Sequence, residues 1–290
     1  MDWRAEVGHT ALAFRGYNIT NLGRTSELFA QPAYRGILAR YLHDASQVAS
    51  DMIGRRINLV DRVQREEETT LETYDEAIAL VMAVELAQLA LLRECHGVTY
   101  DSAQFACGYS LGEITALVAG GVFSLDEALS IPLSLATDCI ELAHDVRLGV
   151  LFSRGQTLPL PVVERILVQL NQTGAGVIGI SAYLSPNTLL IMGSGTTLDR
   201  LSDRLTDIQP RGVHLRINEH HWPPLHTPLV WTRNISNRAG SVMHTLHGGM
   251  RAPTLPVLSM VTGDFSYTNY NARSILTQWV DHPQRLWDVV

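Results

Sequence analysis

The chain has 290 residues, enough for one large domain, or a domain with a smaller insert, around a substantial core. Its hydrophobic share of 46% and charged share of 18% are ordinary for a globular protein, and a net charge of −7 argues against general nucleic-acid binding, which needs a basic face. Cys95, Cys107 and Cys139 show no CxxC spacing, so neither a zinc site nor a disulfide framework is expected; they read as reduced core residues of a cytoplasmic protein. No apolar run reaches the ~18 residues of a membrane span, and no basic-then-apolar leader opens the chain.

Thr10–Phe14 is a short apolar run before Arg15 and Gly16, which predicts a buried strand ending in a tight turn. Residues 26–53 predict helix in pieces. Tyr74–Cys95 is built of strong helix formers with almost no polar face, the pattern of a buried helix, and Gly97 ends it. Ser102–Gly108 predicts a strand, 113–120 a helix, and Ser124 with Glu127 a capping box opening another helix, whose interior Pro132 should kink it. From Arg147 to Ile217 the rhythm is strand, helix, two strands about Ser185-Pro186-Asn187, helix, strand: the βαββαβ order of a ferredoxin-like unit. Residues 220–230 form a proline-rich, rigid loop, Leu255–Thr262 a further strand, and Ile275–Val290 a closing helical region. Strands alternating with helices predict a parallel α/β sheet in residues 1–146 and 218–290, with 147–217 as the inserted subdomain. The acidic run Glu66-Glu67-Glu68 is read as a solvated face.

Gly108-Tyr109-Ser110-Leu111-Gly112 fits G-x-S-x-G. A nucleophilic serine needs a sharp strand-to-helix bend that lifts its hydroxyl above the sheet, glycines where backbone passes close, and a helix N-terminus that favours developing negative charge. The N–H of Leu111, next after the serine, is placed to donate to an oxyanion. A serine also needs a base. Of the eleven histidines, His226 lies in Pro223-Pro224-Leu225-His226-Thr227-Pro228, where prolines fix the backbone and hence the imidazole; histidines 214, 220, 221, 244, 247 and 282 sit in more polar settings and read as surface residues. Trp222 and Trp231, flanking this loop, read as packing anchors.

Taken together the motifs resemble the malonyl-CoA:acyl-carrier-protein transacylase family, which includes the acyltransferase domains of fatty-acid and polyketide synthases. GYSLGE (108–113) with the helix after it, SLDEAL (124–129), Leu184-Ser185-Pro186 and PLHTPL (224–229) follow one another in the family's order, and ILTQWVDHPQRLW (275–287) is similar to its last block with one extra residue. The resemblance implies a hydrolase-like α/β domain with a ferredoxin-like insert. It implies a Ser110–His226 dyad that takes an acyl group from acyl-CoA and passes it to the phosphopantetheine thiol of an acyl carrier protein, with no permanently bound cofactor and no metal. It further implies that the Gln278 carbonyl orients His226 and that the Tyr17 N–H is the second oxyanion donor.

The departures concern the acyl group. The family's carboxylate-gripping arginine falls at Leu135, the asparagine of its NSP turn at Leu184, and the histidine before the nucleophile at Tyr109; the turn Gly16-Tyr17-Asn18-Ile19-Thr20 lacks the second glycine. With Tyr109, Leu135 and Leu184 as acyl-pocket residues, the expected acyl group is uncharged, since burying an unpaired carboxylate is costly. Arg147 or Arg154 are the cations that could substitute. Three readings compete. Plain hydrolysis of acyl thioesters needs only water in place of the thiol. A standard esterase would use an acid between serine and histidine, with Asp199, Asp203 and Asp207 available on a helix of the insert. A degenerate docking subunit of a synthase is suggested by the altered first loop and Tyr109, against which stands the retention of Ser110, Glu113, His226 and Gln278.

Overall fold

The computed structural model describes residues 6–208 and 212–289; residues 1–5, 209–211 and 290, which the expected division also assigned, lie outside the described residues. In chain order the elements are β1 (Ala11–Phe14), α1 (Thr25–Ala30), α2 (Pro32–Ile53), α3 (Leu59–Gln64), α4 (Tyr74–His96), β2 (Phe105–Gly108), α5 (Leu111–Ala119), α6 (Leu125–Ala143), β3 (Val146–Ser153), α7 (Leu160–Gln172), β4 (Ile178–Ser185), β5 (Thr188–Ser194), α8 (Thr197–Asp203), β6 (Val213–His221), α9 (Ile235–Thr245), β7 (Val257–Leu258), α10 (Ala272–Trp279) and α11 (Leu286–Val289).

The main body is a parallel sheet in the order β1-β2-β7, set among helices. Its core is dominated by α4, which is buried nearly all round from Tyr74 to Leu91, as its composition predicts, and which ends on Gly97 in the left-handed conformation. The capping box at Ser124 is formed, and α6 runs as one helix with Pro132 inside it. Two strand readings prove too long. Ser102 closes a 3₁₀ turn and pairing begins at Phe105, while of Leu255–Thr262 only Val257 and Leu258 pair with β2 before the chain turns back to bridge Ser259 with Asp264. Apolar composition marks both stretches as interior; only the neighbouring strand decides where the ladder stops.

The second sheet has the antiparallel order β4-β5-β3-β6, with α7 and α8 packed on it, which is the ferredoxin-like arrangement. It has an apolar core of its own around Leu151, Ile166, Ile178, Leu189, Ile191 and Leu198. Its last strand runs to His221, four residues beyond the expected boundary at 217, so β6 delivers the chain directly to the His226 loop. Cys139 is buried and Cys107 partly so, but Cys95 is exposed on the last turn of α4, contrary to its reading as a core residue. Among the described residues no helix is long and apolar enough to cross a membrane.

Candidate active site

Ser110 stands at the C-terminal end of β2, where the sheet gives way to α5. Its backbone is in a strained region (φ 54°, ψ −116°). Four described non-glycine residues have positive φ, and Ser110 and His226 (φ 66°) are two of them. The flanking glycines are required by contact. A Cβ on Gly108 would lie 2.0 Å from the backbone carbon of Gly112, and one on Gly112 would lie 2.4 Å from the Phe14 carbonyl oxygen. The elbow is therefore folded tightly on itself and pressed against β1, whose last carbonyl, that of Phe14, accepts the Tyr109 N–H at 3.0 Å.

The serine and the histidine meet. Ser110 Oγ donates to His226 Nε2 at 2.6 Å across 116 positions of sequence, and His226 Nδ1 donates to a backbone carbonyl at 2.6 Å. That second bond fixes the tautomer with Nε2 unprotonated and facing the hydroxyl. The imidazole is buried, and burial pushes its pKa down to about 4, opposed by the bond to the carbonyl. Two hydrogen bonds hold the proline-rich loop in place: the Thr227 hydroxyl donates to the Pro224 carbonyl, and the His226 N–H donates to the Val280 carbonyl at 2.7 Å.

The orienting carbonyl belongs to Trp279, not to Gln278. Gln278 is exposed, and its carbonyl instead accepts the N–H groups of Asp281 and His282 to close the end of α10. Successive carbonyls in a helix point along its axis about 100° apart around it, so a one-residue shift chooses between the imidazole and the helix's own cap. Trp279 does more than lend a carbonyl. Its indole N–H donates to the Ser110 carbonyl at 2.9 Å, and its ring stands edge-on to the imidazole at 5.0 Å.

The N–H groups of Leu111 and Tyr17 donate to no protein acceptor among the described residues. The Tyr17 loop is held without the family's second glycine. The Asn21 side chain accepts from the Asn18 N–H and donates to the Asn18 carbonyl, and Glu68 accepts the N–H groups of Asn21 and Leu22. Glu68 thus departs from the solvated face read for the acidic run and ties the loop from behind.

A cavity of about 420 Å³ opens over the pair. Tyr17, Tyr109, Leu148, Leu184, Met192 and Trp222 form most of its wall, Tyr17 standing edge-on between Tyr74 and Trp222. Tyr109 and Leu184, expected in the acyl pocket, both line this cavity. Leu135 does not: it is sealed in the main core, 1% exposed, and is absent from the cavity lining, because the face of α6 that carries it packs inward. Trp222 packs on the buried cluster of Val146, Leu148, Met192 and Leu229, as read, and also lines the cavity, whereas Trp231 is exposed, its indole N–H donating to Asp281. Arg147 is paired with Asp199 on the insert and Arg154 is exposed; neither lines the cavity. Arg15 does, but its guanidinium donates to the carbonyls of Gly16 and Thr20 and to the Asn21 side chain. Asp199, Asp203 and Asp207 belong to the insert and make no contact with His226, which has its carbonyl partner instead. Among the described residues no cluster of His, Cys, Asp and Glu is arranged to hold a metal.

Glu113 is fully buried one turn into α5, where it accepts the Tyr267 hydroxyl at 2.6 Å and the Met260 N–H at 3.2 Å, and burial pushes its pKa up to about 7. It fastens the elbow helix to the loop after β7 and lies off the cavity lining.

One buried polar side chain at the site has no counterpart in the sequence reading. Gln284, fully buried, accepts the Ser110 N–H on its Oε1 at 3.0 Å, and its Nε2 lies 3.3 Å from His226 Nδ1. It lies within the block 275–287 that resembles the family's last motif, but nothing in that resemblance marked its side chain.

No family model matches the chain. Its sequence relatives are polyketide synthases. It is 26% identical over 240 residues to polyketide synthase GfsA of Streptomyces halstedii, covering 80% of this chain and 3% of that protein. It is 25% identical over 283 residues to the phenolphthiocerol synthesis polyketide synthase Pks15/1 of Mycobacterium marinum, covering 96% of this chain and 12% of that one. The chain thus spans a small part of the relatives it matches. Among solved structures, malonyl-CoA:acyl carrier protein transacylase of Xanthomonas oryzae superposes with a TM-score of 0.69 at 22% identity, over 95% of this chain and 81% of that one. The acyltransferase domain from module 8 of the salinomycin polyketide synthase gives 0.73 at 20%, over 98% and 61%. A malonyl-transacylase in complex with a type II polyketide synthase acyl-carrier protein gives 0.69 at 19%, over 95% and 82%. The fold is that of the malonyl-CoA:acyl-carrier-protein transacylases and of polyketide synthase acyltransferase domains: a hydrolase-like core with a ferredoxin-like subdomain.

Proposed function

We propose that the chain is a serine acyltransferase that moves an uncharged acyl group from a coenzyme A or carrier-protein thioester to the phosphopantetheine thiol of an acyl carrier protein. The observation that carries this reading is the 2.6 Å contact of Ser110 Oγ with His226 Nε2, the opposite ring nitrogen being held by a carbonyl. His226 Nε2 takes the hydroxyl proton as Ser110 Oγ bonds to the thioester carbon, and the carbonyl oxygen becomes an oxyanion facing the N–H groups of Leu111 and Tyr17. Collapse of that intermediate breaks the carbon–sulfur bond, and the leaving thiolate takes the proton back from the imidazolium. The carrier's thiol then gives its proton to His226 and attacks the acyl-serine, and Ser110 regains the proton as it departs. The backbone carbonyl of Trp279 stabilises the imidazolium in both halves without a third carboxylate.

The acyl preference rests on the cavity wall, since Leu135 lies elsewhere. The wall is aliphatic and aromatic, and its one cation, Arg15, is committed to its own loop. A free carboxylate there would be desolvated without a partner. Intact-mass measurement after exposure to acetyl-, hexanoyl- and malonyl-CoA tests both parts. Acetyl or hexanoyl adducts that vanish in Ser110→Ala are expected, with malonyl loading slower by a factor of about 100 or more, as for loss of a bidentate pair. Malonyl loading as fast as acetyl overturns the acyl assignment; no adduct with any thioester overturns the transferase reading.

A further inference from the structure

We propose that Gln284 is the positioning residue of this site: it fixes the backbone of the nucleophile, limits the charge on the base, and refers both to the inserted subdomain. The proposal rests on the transferase reading for its kinetic consequences, but its geometry stands apart from it.

Gln284 is bound at three points. Its backbone is an added strand residue on β4 of the insert: the Gln284 N–H donates to the Ser181 carbonyl and the Tyr183 N–H to the Gln284 carbonyl, both at 2.8 Å. The next residue, Arg285, donates its N–H to the Met260 carbonyl at 2.7 Å, in the loop held by Glu113. The side chain then crosses to the elbow. Ser110 N–H is always a donor, so the acceptor oxygen Oε1 must face it, and the amide orientation is fixed. That leaves Nε2, a donor, toward an imidazole nitrogen that already carries a proton for the Trp279 carbonyl. Two donors face each other at 3.3 Å, an arrangement that disfavours a second proton, and with it a positive charge, on the ring. The same carboxamide supplies the partner a buried N–H needs at the strained serine. The titratable or charged groups sharing the cavity with the imidazole are Arg15, Tyr17, Tyr74 and Tyr109; Asp281, the nearest acid in the C-terminal segment, is turned outward to Trp231 and His282.

The distinction from a packing role lies in two substitutions. Gln284→Leu keeps the volume and removes both polar contacts. Gln284→Glu keeps the acceptor for Ser110 N–H and replaces the repelling donor by an oxygen that attracts the imidazolium. Fluorophosphonate labelling of Ser110, which needs no acyl donor, should slow on the order of ten- to a hundredfold in Gln284→Leu and recover most of that loss in Gln284→Glu at pH 8. In thioester loading the Leu variant should lose kcat with KM within about twofold. The His226 imidazole, followed by NMR with His226→Asn as the assignment control, should titrate about one pH unit or more higher in Gln284→Glu than in the parent protein. Labelling of Gln284→Leu at the parent rate, an effect confined to KM, or a Glu variant that matches Leu in labelling and leaves the His226 titration unmoved overturns the proposal. If no thioester loads the parent protein while labelling and titration respond as stated, the transferase reading fails and the positioning role stands.

Discussion

Ser110 and His226 are both bent into backbone that non-glycine residues avoid, at a cost of order 1–3 kcal/mol each. The surroundings hold them there. Trp279 and Gln284 bind the carbonyl and N–H of Ser110, and the carbonyls of Val280 and Trp279 bind the N–H and ring of His226. Such strain is useful because it presents Oγ and Nε2 to each other before substrate arrives. Ser110→Gly should therefore abolish acylation while raising the free energy of unfolding by up to about 1 kcal/mol, read from urea midpoints, since glycine adopts positive φ freely. The lowered basicity of His226 has a kinetic signature. A base with a pKa of about 4 is fully deprotonated at neutral pH, so the acylation rate should be flat from about pH 5.5 to 8 and fall only toward pH 4. A limb near 6.5, the ordinary imidazole value, would contradict the burial seen here.

At the scale of elements, the site is carried by the two ends of α5 and α10 and by the loops that face them. The first turn of α5 is pinned by Glu113 to Tyr267 and Met260. Glu113→Ala strands a buried tyrosine hydroxyl and a backbone N–H and should cost about 2–4 kcal/mol, read by denaturant unfolding, with slower Ser110 labelling as the elbow loosens. The next helix, α6, is stabilised at its start by Ser124, which accepts the Glu127 N–H while the Glu127 carboxylate accepts the Ser124 N–H. Glu127 also accepts the N–H groups of His247 and Gly248, so this cap clamps a distant turn as well. Ser124→Ala should cost about 1 kcal/mol and leave acylation unchanged, because α6 faces the core and not the cavity.

Over the whole molecule, three buried titratable groups set opposing pH trends. Glu85 and Glu113 are pushed up to about 7 from 4.5 by burial, so the unfolded chain ionises first; the stability they favour is complete below pH 4.5 and is lost as pH rises to 7. His226 is lowered from 6.5 to about 4, and its contribution is present above 6.5 and lost as pH falls to 4. Replacing Glu113 by Gln should flatten the loss of stability between pH 5 and 7.5, where one raised group is worth about 1.4 kcal/mol per pH unit of separation. Unfolding midpoints across that range test it; parallel curves for parent and variant would refute it. Local and periodic features were legible along the chain: the buried α4, the capping box, the βαββαβ order of the insert, and the glycine-flanked Ser110 and proline-flanked His226 that meet in the fold. Of the three residues expected in the acyl pocket, Tyr109 and Leu184 line the cavity, and both sit beside motifs that fix their place. Tertiary structure alone decided which carbonyl of α10 meets the imidazole, that Leu135 turns into the core, that Glu68 braces the Tyr17 loop, and that Gln284 joins insert, nucleophile and base. These depend on the angle at which one element docks on another, and that angle is set by the summed packing of two cores rather than by any spacing written along the chain.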